Sequence, residues 1–352
     1  MSDLSQELQQ AVDHALHQNI SLNIAGGGSK SFYGHQPEGA RLDVAGHHGI
    51  ITYEPTELVM TARGGTPLRE IEALLAEHRQ MLPFEPPHFG DRATLGGAVA
   101  CGLSGPRRPF SGAVRDCVLG CTLINGQAEI LSFGGEVMKN VAGYDIARLM
   151  VGAMGTLGLL LSVSFKILPR PAEEITVSLE MDPAEAIETM NRWAGQPLPL
   201  SGLFYDGSRV YARLCGTAES IAAARRRLGG ERLARSGEFW HALREQQHPF
   251  FQGKENLWRL SVAPATPMMD LPGEWLLDWG SAQRWLKSEA PAAEVFRAAE
   301  TAGGHATLFR SADRSGQRFQ PLPATLMKYH KQLKQAFDPN GLFNPKRMYS
   351  DW

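Results

Sequence analysis

Four cysteines in 352 residues, Cys101, Cys117, Cys121 and Cys215, match neither the paired C-x-x-C spacing of zinc sites nor the runs that hold iron–sulfur clusters. They read as free thiols of a reducing compartment, and no metal site is expected. No apolar run approaches the ~20 residues that span a bilayer. Neither sign of charge is in excess: the net charge is −2, and no basic face is interleaved with aromatics, so nucleic acid is not an expected ligand. The first residues, Met1-Ser-Asp-Leu-Ser-Gln-Glu-Leu, are polar and acidic, unlike a signal peptide. The expectation is a cytoplasmic protein, reaching the inner face of the cell membrane only peripherally through partners. Two nucleotide motifs are missing as well. A P-loop, G-x-x-x-x-G-K, needs glycine where Ile24 and Ser29 stand, and G-x-G-x-x-G fails at Ser31.

What the chain has is glycine, 37 of them, placed in clusters between apolar elements. Gly26, Gly27 and Gly28 close the apolar run Ser21-Leu-Asn-Ile-Ala25, and Ser29 and Lys30 follow at once. Without Cβ atoms the backbone turns sharply there and lets an anion approach its N–H groups. A second cluster runs from Thr94 to Gly105 (Gly96, Gly97, Ala98, Ala100, Gly102, Ser104), with Arg107 and Arg108 adding charge beside it. So little side-chain bulk marks either a close approach to a ligand or a tightly packed helix end. Two such loops point to a ligand with two phosphates, clasped from both sides.

The length suggests two or three domains. Leu4, Leu8, Val12, Ala15 and Leu16 have helical spacing. Strands follow at 21–25, 41–44, 50–53 and 58–63. Thr66 reads as the N-cap and Pro67 as the first residue of a helix carrying Leu68, Ile71, Leu74 and Leu75. Asn125-Gly126 between apolar runs (116–124 and 128–132) signals a hairpin. Adjacent His47 and His48 in a glycine-flanked turn read as solvated rather than metal-binding. Beyond Pro169-Arg-Pro171 the order of strand (175–180), helix from Asp182-Pro183, hairpin at Asp206-Gly207 and helix (219–228) suggests a smaller antiparallel α+β domain. A last helix over 325–337 places Leu326, Tyr329, Leu333, Ala336 and Phe337 on one face.

Six segments in order, Ala25-Gly-Gly-Gly-Ser29, Thr94-Leu-Gly-Gly-Ala-Val-Ala100, Val114-Arg-Asp-Cys-Val-Leu-Gly120, Gly143-Tyr-Asp-Ile-Ala-Arg-Leu149, Gly155-Thr-Leu-Gly158 and Asp338-Pro-Asn-Gly-Leu-Phe-Asn-Pro345, resemble the vanillyl-alcohol-oxidase/PCMH-type FAD-binding proteins. Longer runs are similar to one family among them, the E subunits of bacterial glycolate oxidases. These are Pro83-Phe-Glu-Pro-Pro-His88, Gly102-Leu-Ser-Gly-Pro-Arg-Arg-Pro109, Phe133 to Asp145 and Pro267-Met-Met-Asp-Leu-Pro-Gly273. The resemblance covers nearly the whole chain. It implies an α+β architecture: a two-part PCMH-type FAD-binding domain (1–172), an antiparallel α+β cap domain (173–302) and a C-terminal segment (303–352) returning to the flavin domain.

The resemblance also implies site residues. Gly26, Gly27, Gly28, Ser29 and Lys30 would hold the FAD pyrophosphate, and Thr94, Leu95, Gly96 and Gly97 would approach it with backbone N–H groups. Gly155, Thr156 and Gly158 would contact the adenosine half, and Asn344 would cover the isoalloxazine. Relatives that bond FAD covalently do so through a histidine in the first loop. None stands between Ala25 and Ser31, so non-covalent FAD is expected. The family's hydroxyacid-oxidising members carry a histidine-rich motif where this chain has only Gly303-Gly-His-Ala-Thr-Leu-Phe-Arg310. His305 and Arg310 are therefore the catalytic candidates, with a structural histidine and a surface salt bridge as their plain alternatives. The implied role is the FAD-binding subunit of a multi-subunit glycolate oxidase. Its partners would be a flavin subunit that oxidises glycolate or D-lactate to the 2-oxoacid and an iron–sulfur subunit, with this chain as electron relay. A self-sufficient dehydrogenase and a non-redox assembly subunit are the rival expectations.

Overall fold

Val12 and Leu8 turn inward from the first helix, α1 (Ser5–His17), and with Ala15 they cover one end of a unit built from three stretches of chain. The structure, a computed structural model, describes residues 2–135 and 145–350. Met1–Ser104, Ala113–Pro169 and Pro321–Trp352 form the first unit; Gly105–Gly112 and Arg170–Gln320 form the second.

In the first unit β1 (Leu22–Ala25) and β2 (Ala40–Asp43) pair in parallel, Leu22 against Ala40. β3 (Ile50–Glu54), β4 (Val59–Arg63), α2 (Leu68–Glu77), α3 (Leu95–Cys101), β5 (Val118–Ile124), β6 (Ile130–Gly134) and β7 (Leu159–Lys166) follow. The strands from β3 on make an antiparallel sheet in the order β3-β4-β7-β5-β6. One face of it is sealed by α2 and α3, whose Leu68, Ile71, Leu75, Leu95, Ala98 and Val99 join Met60, Val163 and Phe165 in a single apolar cluster. Burying each such side chain is worth about 1.5–3 kcal/mol, which fixes where the two helices start.

The cap of α2 differs from its sequence reading. Pro67, with φ −59° and ψ 132°, is the N-cap, because the Thr66 hydroxyl is held by the backbone N–H and carbonyl of Gly49. The strand expected from 116 starts at Val118, since the Asp116 carboxylate accepts from Ala113 N and keeps 114–117 helical. His47 is buried rather than solvated. Its Nδ1 accepts from Leu4 N and its Nε2 meets Leu161 O at 3.0 Å, so the ring staples the N-terminus to β7. Asn125-Gly126 does make the turn between β5 and β6, and Gly126 N also donates to Phe337 O.

In the second unit β8 (Glu173–Glu180) leads to α4 (Pro183–Ala194), which starts where expected, its N-cap Asp182 accepting from Ala184 N and Glu185 N. β9 (Leu200–Tyr205), β10 (Arg209–Gly216), α5 (Ala218–Leu228), β11 (Leu257–Ser261), β12 (Glu274–Asp278), β13 (Gln283–Lys287), α6 (Ala292–Thr301) and β14 (His305–Arg310) follow. With the short strand Glu231–Arg232 they form an antiparallel sheet, ordered Glu231–Arg232, β8, β10, β9, β12, β13, β11, β14. The unit runs to Gln320 rather than to 302, because β14 pairs along β11 and Thr307 pairs in turn with Phe319. Arg107 and Arg108 belong here as well and are engaged here: Arg107 pairs with Glu174, and Arg108 lies 4.3 Å above the Trp279 ring.

The last helix, α7 (Ala324–Phe337), returns to the first unit. Only the end of its expected apolar face packs inward, through half-buried Leu333 and Phe337. Leu326 and Tyr329 are exposed, and the residue that α7 buries is Lys334.

Candidate functional site

The chain leaves β1 at Ala25 into a loop that only glycine can follow. A Cβ on Gly26 would stand 2.6 Å from Thr94 Oγ1, and one on Gly27 would stand 1.3 Å from the Arg92 carbonyl oxygen. Gly28 has open space around it but sits at φ +74°, where L side chains are strained. Ser31 N donates to Gly28 O and Tyr33 N to Lys30 O, which fixes the turn. Among the described residues the N–H groups of Gly26, Gly27, Gly28 and Ser29 donate to no protein acceptor. Four successive unpaired donors form a ready anion nest. The Lys30 ammonium is buried just beyond, held near Ser29 Oγ (3.4 Å) and His88 O (3.3 Å) and 5.6 Å from the Phe89 ring centroid.

The second glycine cluster works differently from the sequence expectation. Leu95 N donates to Thr66 O and Gly96 N to Gly64 O, so neither is available to a ligand. Thr94 is the N-cap of α3, its Oγ1 accepting from Gly97 N at 3.3 Å. Leu95 is wholly buried in the core. What the cluster offers a ligand is the absence of side chains: Gly96, Gly97 and Ala100 line a cavity, and their bareness keeps it open.

The third side of that cavity comes from the 153–158 turn and Asn344. Gly155, at φ +71°, leaves no room for a Cβ, which would meet Asn344 Nδ2 at 2.6 Å. Asn344 lines the cavity with its backbone at φ +43°, and its amide is engaged at both ends. Oδ1 accepts from Ile24 N (2.7 Å) and Nδ2 donates to Met154 O (2.7 Å), tying β1 to the turn. Thr156 is buried outside the lining; its hydroxyl donates to Ala153 O. Sequence reasoning missed what holds this corner. Lys334 Nζ, buried at the end of α7, donates to Thr156 O (2.7 Å), Asp338 Oδ2 (2.6 Å) and Phe343 O (3.0 Å). Asp338 in turn accepts from Leu342 N and Phe343 N. The signal was present as a lysine four residues before an aspartate at a helix end, but i,i+4 pairs are usually solvent-exposed.

The cavity encloses about 550 Å³ of atom-free space, part of it continuous with solvent. Ile24, Gly26, Val44, Gly64, Gly158 and Leu160 complete much of its wall. Among the described residues none of the side chains lining it is titratable. His305 and Arg310 lie in the second unit. His305 is exposed at the start of β14, opposite Ser261, and Arg310 Nη2 donates to Gln246 Oε1 at 2.8 Å. Among the described residues no group of three or more His, Cys, Asp or Glu side chains could hold a metal ion. Residues 136–144, which carry most of the Phe133-to-Asp145 motif and Gly143-Tyr144 of another, lie outside the described residues.

A family described as an FAD binding domain matches residues 4–134. The chain is 54% identical over 349 residues to the glycolate oxidase subunit GlcE of Escherichia coli (strain K12), covering 99% of this chain and 98% of that protein. It is 36% identical over 85 residues to the glycolate oxidase subunit GlcD of Bacillus subtilis (strain 168), a match covering 24% of this chain and 18% of that one. In fold it is similar to the crystal structure of p-cresol methylhydroxylase with substrate bound, with TM-score 0.74 and 15% identity over 100% of this chain and 88% of the other.

Proposed function

Because the chain belongs to the family of the glycolate oxidase subunit GlcE, we propose that it is the FAD-binding subunit of a multi-subunit glycolate dehydrogenase and relays electrons within it. FAD is the cofactor. The first unit fits it. The unpaired N–H groups of residues 26–29 can hold a pyrophosphate, and the bare wall of Gly96, Gly97 and Gly155 admits a flat, bulky group without a side-chain clash. When bound, FAD supplies a ring system that accepts and donates electrons. Lys30 adds a buried positive charge beside the pyrophosphate nest, and Asn344 keeps β1 and the 153–158 turn at a fixed separation.

The observation that carries the relay reading is the lining itself. Oxidising a 2-hydroxyacid requires a group that takes the hydroxyl proton within hydrogen-bond reach. Among the described residues no side chain lining the cavity titrates, and its polar side chain there, Asn344, has both ends engaged. A flavin held there is suited to passing electrons on. In this reading a GlcD-type flavin subunit oxidises glycolate or D-lactate to the 2-oxoacid, and an iron–sulfur subunit takes the electrons onward.

The test is the visible spectrum of the purified chain. It should be yellow, keep its flavin band when glycolate is added alone, and bleach with glycolate once the other subunits are present. Bleaching of the isolated chain by glycolate would make it a self-sufficient dehydrogenase, and a colourless chain that still supports turnover would make it a scaffold.

A further inference from the structure

Arg318 is sealed from solvent, with 0% exposure, and among the described residues its Nε, Nη1 and Nη2 all lack a hydrogen-bond acceptor. Other buried arginines of the second unit are compensated. Arg284, equally sealed, donates to the carbonyls of Ser281, Thr266 and Pro267. Arg213 donates to Ser201 O and lies 4.6 Å above the Trp240 ring. A guanidinium stays charged in a protein, so burying one dry and unpaired is strongly unfavourable. The Asp313 carboxylate, exposed and engaged by Ser315 N and Oγ, acts on it through its charge and offsets its burial only in part. Burial and then the charge of Arg314 push the Arg318 pKa down, and the charge of Asp313 offsets part of that shift.

A second unpaired donor shares its face of the sheet. Leu308 N donates to Arg318 O, Gln320 N donates to Ala306 O, and Thr307 pairs with Phe319, so Leu308 stands opposite Arg318. Leu308 of β14 also stands opposite Trp258 of β11. Trp258, Leu308 and Arg318 thus form one row across three strands, with side chains on one face. Trp258 is 1% exposed, and its indole Nε1–H also has no acceptor among the described residues.

The geometry points to a small-oxyanion site in the second unit, formed by the Arg318 guanidinium with the Trp258 indole N–H as a further donor, that takes a carboxylate or phosphate group. The guanidinium fork matches two oxygens of either. The site requires no residue of the flavin cavity.

The experiment is thermal unfolding of the FAD-loaded full chain, titrated with sodium acetate or sodium phosphate against sodium chloride at equal ionic strength. Either anion can raise Tm by general exclusion from protein surfaces, so the quantity read is the difference from the Arg318→Met variant. A rise of several degrees in the wild type that Arg318→Met loses, and that Trp258→Phe reduces, is the expected result. A response to acetate alone assigns a carboxylate ligand, and a response to phosphate assigns a phosphate-bearing one. In chloride, Arg318→Met should melt no lower than the wild type, because methionine fills the site without a charge. Equal anion responses in wild type and variant overturn the site. So does an Arg318→Met chain that is strongly destabilised in chloride, since that would mean the guanidinium already has its partner.

Discussion

Gly27 and Gly28 are neighbours with opposite tolerances, and the difference makes a sharp test of the cradle. Any side chain at Gly27 collides with the Arg92 backbone, so Gly27→Ala must displace the loop that carries the unpaired N–H groups. Purified Gly27→Ala should bind FAD at least about tenfold more weakly, a change of roughly 1.4 kcal/mol. Gly28→Ala meets no atom and carries only the strain of a positive φ, about 1 kcal/mol, so it should retain most of its flavin. The ratio of flavin to protein absorbance after gel filtration reads both. The thiols give a second test at this scale. Burial pushes Cys117 and Cys121 up to about 12 from an ordinary value of 9.0. Above pH 9 the unfolded chain releases these protons while the folded chain keeps them, so the unfolded state is favoured. Stability should fall between pH 9 and 12 by up to about 1.4 kcal/mol per pH unit for each thiol. In Cys117→Ala and Cys121→Ala variants, urea midpoints measured across that range should fall less steeply, and an unchanged slope would refute the assignment.

Helix α7 shows how an element can serve a site it does not line. Lys334 and Asp338 close its C-terminal turn onto Thr156 O and Phe343 O, next to the asparagine that borders the cavity. Lys334→Met leaves the Asp338 carboxylate buried without its cation and should cost about 3–5 kcal/mol. Adding Asp338→Asn should recover part of that loss, which urea unfolding of the single and double variants measures. The N-cap of α3 is a smaller device. Thr94→Ala removes the acceptor for Gly97 N and should cost about 1 kcal/mol, whereas Thr94→Ser should cost little. Helices α7 and α2 explain why sequence readings went astray locally. The apolar stripe on α7 was a true periodicity, yet Leu326 and Tyr329 remain exposed. Thr66 was a plausible cap, yet Gly49 holds its hydroxyl.

At the scale of the molecule, the flavin unit is closed by its last 32 residues, Pro321–Trp352. A chain ending at Gln320 keeps the first glycine loop and the α3 wall but loses Asn344 and the Lys334 clamp. It should emerge colourless, and co-expressed 321–352 should restore the flavin if the closure is the cause. The glycine clusters, the hairpin at Asn125-Gly126 and the helix start at Asp182-Pro183 were all legible in the sequence. Each depends on a property of a few consecutive residues: a missing Cβ, a fixed φ, or a side chain that bonds its own backbone.

Contacts between residues distant in the chain were not legible. Backbone N–H groups of Leu95 and Gly96 looked available until the 64–66 segment was seen to accept them. His47 looked solvated until Leu161 closed over it. The sequence by itself determined that two clusters of small residues, 26–28 and 94–105, would bring bare backbone together, and its resemblance to a family supplied the flavin they are expected to face. Tertiary structure decided which of those residues offer donors, which only offer space, and which buried charges have partners. Hydrogen-bond supply and burial depend on what the rest of the chain brings alongside, and no local pattern encodes that.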